Sequence, residues 1–131
     1  MHMLTDISTP ADIETLVNHF YGKVLNDSLL ADIFKKQIGN NWEVHLKKMV
    51  SFWHTLLLNE QHYFGSPFMA HADLPIKEVH FKQWMSLFNT SVDALFEGPK
   101  AEEAKDRAAK MAAMFQHKLA YYASHNKKPL L

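Results

Sequence analysis

Between Ile76 and Phe96 the large apolar residues Phe81, Trp84, Phe88, Val92 and Leu95 recur three and four positions apart. That spacing places side chains on one face of an α-helix. The period returns along most of the chain. Ile13, Leu16, Val17, Phe20, Val24 and Leu25 follow it, as do Trp42, His45, Met49, Phe52, Trp53, Leu56 and Leu57, and later Ala104, Ala108, Met111, Phe115, Leu119 and Tyr122. No segment alternates with the period of two that a strand requires. A chain of this kind buries its apolar residues by laying helical stripes against one another, so the fold class is all-α, with four substantial helices and shorter connectors.

The punctuation agrees with the period. Thr9-Pro10-Ala11-Asp12 combines an N-cap threonine, a first-turn proline and an acid that completes a capping box. Asn26-Asp27-Ser28 ends this first helix. A short segment carrying Leu29, Leu30, Ile33 and Phe34 stops at Gly39-Asn40-Asn41, and a longer helix is predicted over 42–58. A loop-rich stretch, 59–75, follows, in which Ser66-Pro67 can open a single turn ending near His71. Gly98-Pro99 separates a helix over 76–96 from a last one over about 100–123.

At 131 residues the chain is expected to form one domain, 1–131, with flexible ends at 1–8 and 124–131. Fourteen basic and fourteen acidic residues balance, and no like-charge run is longer than two. That speaks against an electrostatic nucleic-acid or membrane binder. No apolar run approaches the length of a membrane span or forms a leader, and cysteine is absent, which removes disulfides, thiolate metal sites and cysteine nucleophiles. A cytoplasmic protein is the expectation.

Nine histidines then need an account. A helical metal site takes ligands at i, i+3 or i+4. Within the predicted helices no histidine has another His, Asp or Glu at those distances, and neither HExxH nor Glu-x-x-His occurs. Zinc-hydrolase and di-iron readings lose their local support. A porphyrin, by contrast, supplies four of its iron's ligands and asks the protein for one imidazole. His71, isolated in a short segment between Pro67 and Pro75, suits that request. His45 and Tyr21, on or beside the apolar stripes of their helices, could offer hydrogen bonds on the opposite side of the iron. Each residue alone has a plainer reading as core: a histidine bonded to a carbonyl, a partly buried tyrosine, an aromatic stripe that only packs.

Taken in chain order, the residues resemble the truncated haemoglobins, specifically their third group. The matching stretches are HFYGKV at 19–24, DIF at 32–34, WEVHLKKMVSFW at 42–53, HADLPI at 71–76 and HFKQWMSLF at 80–88, then RAAKMAAMFQ in the last helix. The four glycines are isolated, without the glycine pairs usual in the first two groups. The resemblance implies a globin-like, two-over-two helical sandwich around haem b. It implies His71 as the proximal iron ligand and His45 as a distal gate and possible sixth ligand. Tyr21, His45 and Trp84 would occupy the polar distal positions. Phe34 would pack on the porphyrin, Met49, Phe52 and Trp53 would line the distal wall, and Phe81 would join the haem contacts, with Lys48 as a propionate partner. If His71 were not the ligand, His45 and then His80 would be next.

The function so implied is binding of dioxygen and of other diatomic gases, CO and NO, with a reductase as a possible protein partner. The alternatives are peroxidase-like turnover or nitric-oxide and reactive-oxygen detoxification on the same haem, and a cofactor-free helical interaction module.

Overall fold

Thr9 starts the first helix as its sequence predicts. Its hydroxyl accepts a hydrogen bond from the Asp12 N–H at 3.2 Å, and the Asp12 carboxylate accepts from the N–H groups of Thr9 and Ser8 at 3.1 and 2.9 Å. The computed structural model describes residues 3–58 and 76–125, with side chains as far as Tyr121. Within them lie helices α1 (Pro10–Leu25), α2 (Ala31–Ile38), α3 (Trp42–Leu58), α4 (Glu78–Leu95) and α5 (Pro99–His125). The Ser66-Pro67 turn falls outside the described residues.

The boundaries of the first two helices have local causes. Asn26 closes α1, its N–H donating to the carbonyls of Lys23 and Val24 and its side-chain amide to the Gly22 carbonyl at 2.9 Å. Asp27 turns the chain by accepting from the N–H groups of Leu29 and Leu30, and also accepts from the Gln83 amide, which ties the turn to α4. Gly39 ends α2 at φ 60, a left-handed conformation that glycine adopts without strain.

Helix α4 begins two residues later than the apolar period suggests, because its N-cap is Lys77. A lysine side chain has no acceptor to offer a helix N-terminus. The return half of a capping box does the work instead: His80 Nδ1 accepts from the Lys77 N–H at 2.9 Å.

The start of α5 is satisfied from a distance. Gly98, at the cap position, has no side chain, and the Asp6 carboxylate accepts from the N–H groups of Lys100 and Ala101 at 2.9 and 2.8 Å. The Glu97 N–H donates to the Thr5 carbonyl at 2.9 Å, and Ile7 is only 1% exposed. Residues 5–7, assigned from sequence to a flexible end, are therefore tied to the helix they precede by more than ninety positions.

In the packed molecule α1 lies against α2, α3 and α4, while α4 lies against α5 and α3 also reaches α5. The α1–α3 pair packs against the α4–α5 pair, the two-over-two arrangement expected from the sequence. The main core joins Ile13, Leu16, Phe20, Val24, Leu57, Phe88 and Val92 with Ala101, Ala104 and Ala108. A second cluster gathers Phe81, Ala112 and Phe115.

Candidate functional site

Each helix turns part of its apolar face toward a shared cavity of about 850 Å³, open mouth included. Helix α1 contributes Val17, Phe20 and Tyr21; Leu30 and Phe34 come from α2 and its lead-in; α3 contributes Met49, Phe52 and Trp53. The opposite side is built from Ile76, His80, Phe81, Trp84 and Phe88 around α4, and from Met111, Ala112 and Phe115 of α5. Among the described residues the lining is apolar except for the N–H and O–H groups of Tyr21, Trp53, His80 and Trp84.

Tyr21 is the most constrained of these. Its ring is 7% exposed and sits among Phe20, Phe34, Trp42 and His45, at centroid distances of 5.1, 6.2, 6.0 and 5.1 Å. A hydrogen bond of 3.0 Å joins its hydroxyl to His45 Nε2. Tyr21 donates in it when Nε2 is bare and accepts when Nε2 carries the proton, which frees the phenolic hydrogen for another acceptor. Burial pushes the phenol above its ordinary pKa, so Tyr21 is a neutral O–H at any physiological pH.

Trp84 is held by stacking. Its ring lies parallel to Phe88 (5.4 Å, 6°) and edge-on to Phe20 (5.3 Å), and Phe88 stacks on Trp53 at 5.0 Å. Three aromatic rings in series fix the indole on the cavity wall. Offset and edge-on contacts of this kind add about 0.5–1.5 kcal/mol each beyond area burial.

Of the residues expected from sequence, Tyr21, Phe34, Met49, Phe52, Trp53, Phe81 and Trp84 all line the cavity. His45 stands beside it, half-buried, in contact through Tyr21. Lys48 is exposed on α3, next to the lining residue Met49 and not itself in the lining. His71 lies outside the described residues, with Asp73 and Pro75. The sequence reading missed the far wall, Met111, Ala112 and Phe115. The available clue was the change along α5 from an alanine run to methionine and phenylalanine.

His80, the last candidate for an iron ligand, is placed differently from that expectation. Its Nδ1 is an acceptor at the α4 cap, so the neutral ring carries its proton on Nε2. Ligation through Nε2 needs that nitrogen bare, with the proton on Nδ1. In this arrangement His80 lines the cavity without being suited to hold iron.

An apolar cavity lined by aromatic rings, with the buried Tyr21 hydroxyl on one wall and its half-buried partner His45 beside it, has the chemistry of a cofactor site. The comparisons with known proteins agree. The bacterial-like globin family matches residues 4–120. The group 3 truncated hemoglobin ctb of Campylobacter jejuni is 34% identical over 117 residues, covering 86% of this chain and 92% of the relative. The crystal structure of a group III truncated hemoglobin from Campylobacter jejuni superposes with a TM-score of 0.82 at 32% identity, covering 89% of this chain and 95% of that one. The chain belongs to the bacterial-like globin family, as a haem-binding globin of the truncated type.

Proposed function

We propose that this globin holds haem b in the cavity through His71 and reversibly binds dioxygen, with CO and NO as further ligands, under hydrogen bonds from Tyr21 and Trp84. The haem would supply the iron at which the gas binds. The protein's part is to offer neutral donors where charge develops on bound oxygen, inside walls that exclude water.

The observation that carries this reading is the Tyr21–His45 hydrogen bond of 3.0 Å on an otherwise apolar wall. A phenol buried there needs a partner. His45 provides one and also sets the direction of the phenolic hydrogen. When Nε2 donates to the Tyr21 oxygen, the Tyr21 O–H is left to donate into the cavity. Trp84 offers a second N–H from the α4 wall. A hydrogen bond to a charged partner contributes about 1.5–3 kcal/mol, so each donor is expected to slow oxygen release by roughly ten- to a hundredfold. Carbon monoxide, which gathers less charge, gains less. Tight retention of this kind suits gas sensing or detoxification better than bulk storage.

Absorption spectra of the ferric, ferrous and CO-bound protein test the haem assignment, with wild type beside His71→Gly. Wild type is expected to take up haem with a Soret band, and the variant to lose the imidazole signature and recover it with added imidazole. A variant spectrum identical to wild type would move the proximal ligand elsewhere. Stopped-flow oxygen release from Tyr21→Phe and Trp84→Phe tests the donors. An off-rate unchanged in both would remove them from the mechanism.

A further inference from the structure

We infer that His80 anchors a haem carboxylate at the mouth of the cavity, donating a hydrogen bond from Nε2. This rests on the haem reading. Haem b carries two propionates, and their charges require a position where water or donors meet them, because an unpaired carboxylate is costly to bury. Lys48, which the resemblance suggested for that task, is exposed on α3 beside the lining residue Met49, and His80 is itself in the lining.

His80 has three properties that suit the role. It lines the cavity and is half-buried, so its ring reaches both the lining and solvent. The Lys77 N–H, at 2.9 Å, occupies Nδ1 as a donor. The neutral ring therefore holds its hydrogen on Nε2, with no choice of tautomer left to make. Finally, His80 lies in the first turn of the eighteen-residue α4, at the positive end of its dipole, where a carboxylate is favoured. Glu78 in the same turn is opposed by Lys82 at 3.2 Å, which reduces its repulsion of an incoming anion.

The cap and the anchor can be separated by substitution. His80→Glu keeps an acceptor for the Lys77 N–H but replaces the donor with a negative charge; His80→Gln keeps both an acceptor and a donor. Each variant is loaded with haem or with its dimethyl ester, which lacks the carboxylates, and release to excess apomyoglobin is followed. Thermal unfolding of the apoproteins is measured in parallel.

With ordinary haem, His80→Glu is expected to release it about tenfold faster or more, and His80→Gln within about threefold of wild type. With the dimethyl ester all three proteins should release at one rate, and neither variant apoprotein should unfold at a lower temperature than wild type. Equal release of ordinary haem from wild type and His80→Glu would overturn the proposal, as would the same acceleration with the ester. Failure of wild type to take up haem at all would overturn the haem reading itself and this inference with it, an outcome visible as a missing Soret band.

Discussion

The two halves of α5 face different tasks. Its first half presents Ala101, Ala104 and Ala108, each at most 2% exposed, to Ile7, Ile13 and Val92 in the main core. Its second half presents Met111, Ala112 and Phe115 to the cavity. The distance between packed helices is set by the side chains at their contact. Alanines let the first half close tightly on its neighbours, and Ser91 fits there too at 0% exposure because its hydroxyl donates to the Leu87 carbonyl at 2.8 Å. Longer side chains hold the second half off and leave a slot edged by aromatic rings. Within α5, the first half closes the main core and the second borders the cavity, so substitutions in the two halves should separate stability from binding.

The strongest challenge to that separation is Gly98→Ala. Gly98 has φ 144, where an L-residue is strained, and an added Cβ would stand 2.5 Å from Asp6 Cγ. Backbone strain of about 1–3 kcal/mol adds to loss of the remote cap, about 1 kcal/mol. Urea unfolding of the apoprotein should show roughly 2–4 kcal/mol of destabilisation, while oxygen release from the folded, haem-loaded variant stays as in wild type. A changed off-rate would mean that the closed end communicates with the cavity.

Ala104→Leu against Ala112→Leu sharpens the comparison within one helix. Ala104 is fully buried against packed neighbours, and overpacking there costs about 1–3 kcal/mol. Ala112 borders open space, so the same enlargement should change apoprotein stability by less than about 1 kcal/mol and instead hasten haem loss. Equal destabilisation at both positions would show that the second half of α5 is as closely packed as the first.

How much of this was legible beforehand follows from the range of each interaction. The helices were, because apolar period and capping are local: Thr9 with Asp12, Gly39, and the limits 42–58 of α3 all stand where the spacing predicts. Seven cavity residues were also legible through family resemblance and shared helix faces. The Asp6 cap was not, since nothing in Gly98-Pro99-Lys100 reveals that its missing acceptor arrives from residue 6. Nor was His80's tautomer, which depends on Lys77 having no acceptor of its own to complete the cap. Period alone also could not divide α5, because alanine and phenylalanine on one stripe look equally like core.

The smallest effect tests the clasp through pH. Partial desolvation raises the Asp6 pKa, but the hydrogen bonds from Lys100, Ala101 and Ile7, with the Lys100 charge, outweigh it and hold the carboxyl below its ordinary value. A carboxylate lowered on folding adds stability that is complete above its unfolded pKa, about 3.9, and is lost as pH falls through the lower folded value. The side-chain amide of the Asp6→Asn variant can still accept from α5, but it brings no charge to the positive end of that helix. The wild-type advantage is expected to be about 1 kcal/mol at neutral pH, constant down to about pH 5, and to shrink from about pH 4 downward. Urea unfolding of both apoproteins at a series of pH values measures it. A difference that persisted undiminished at about pH 2 would show that Asp6 acts through shape and packing, with its charge contributing nothing to the start of α5.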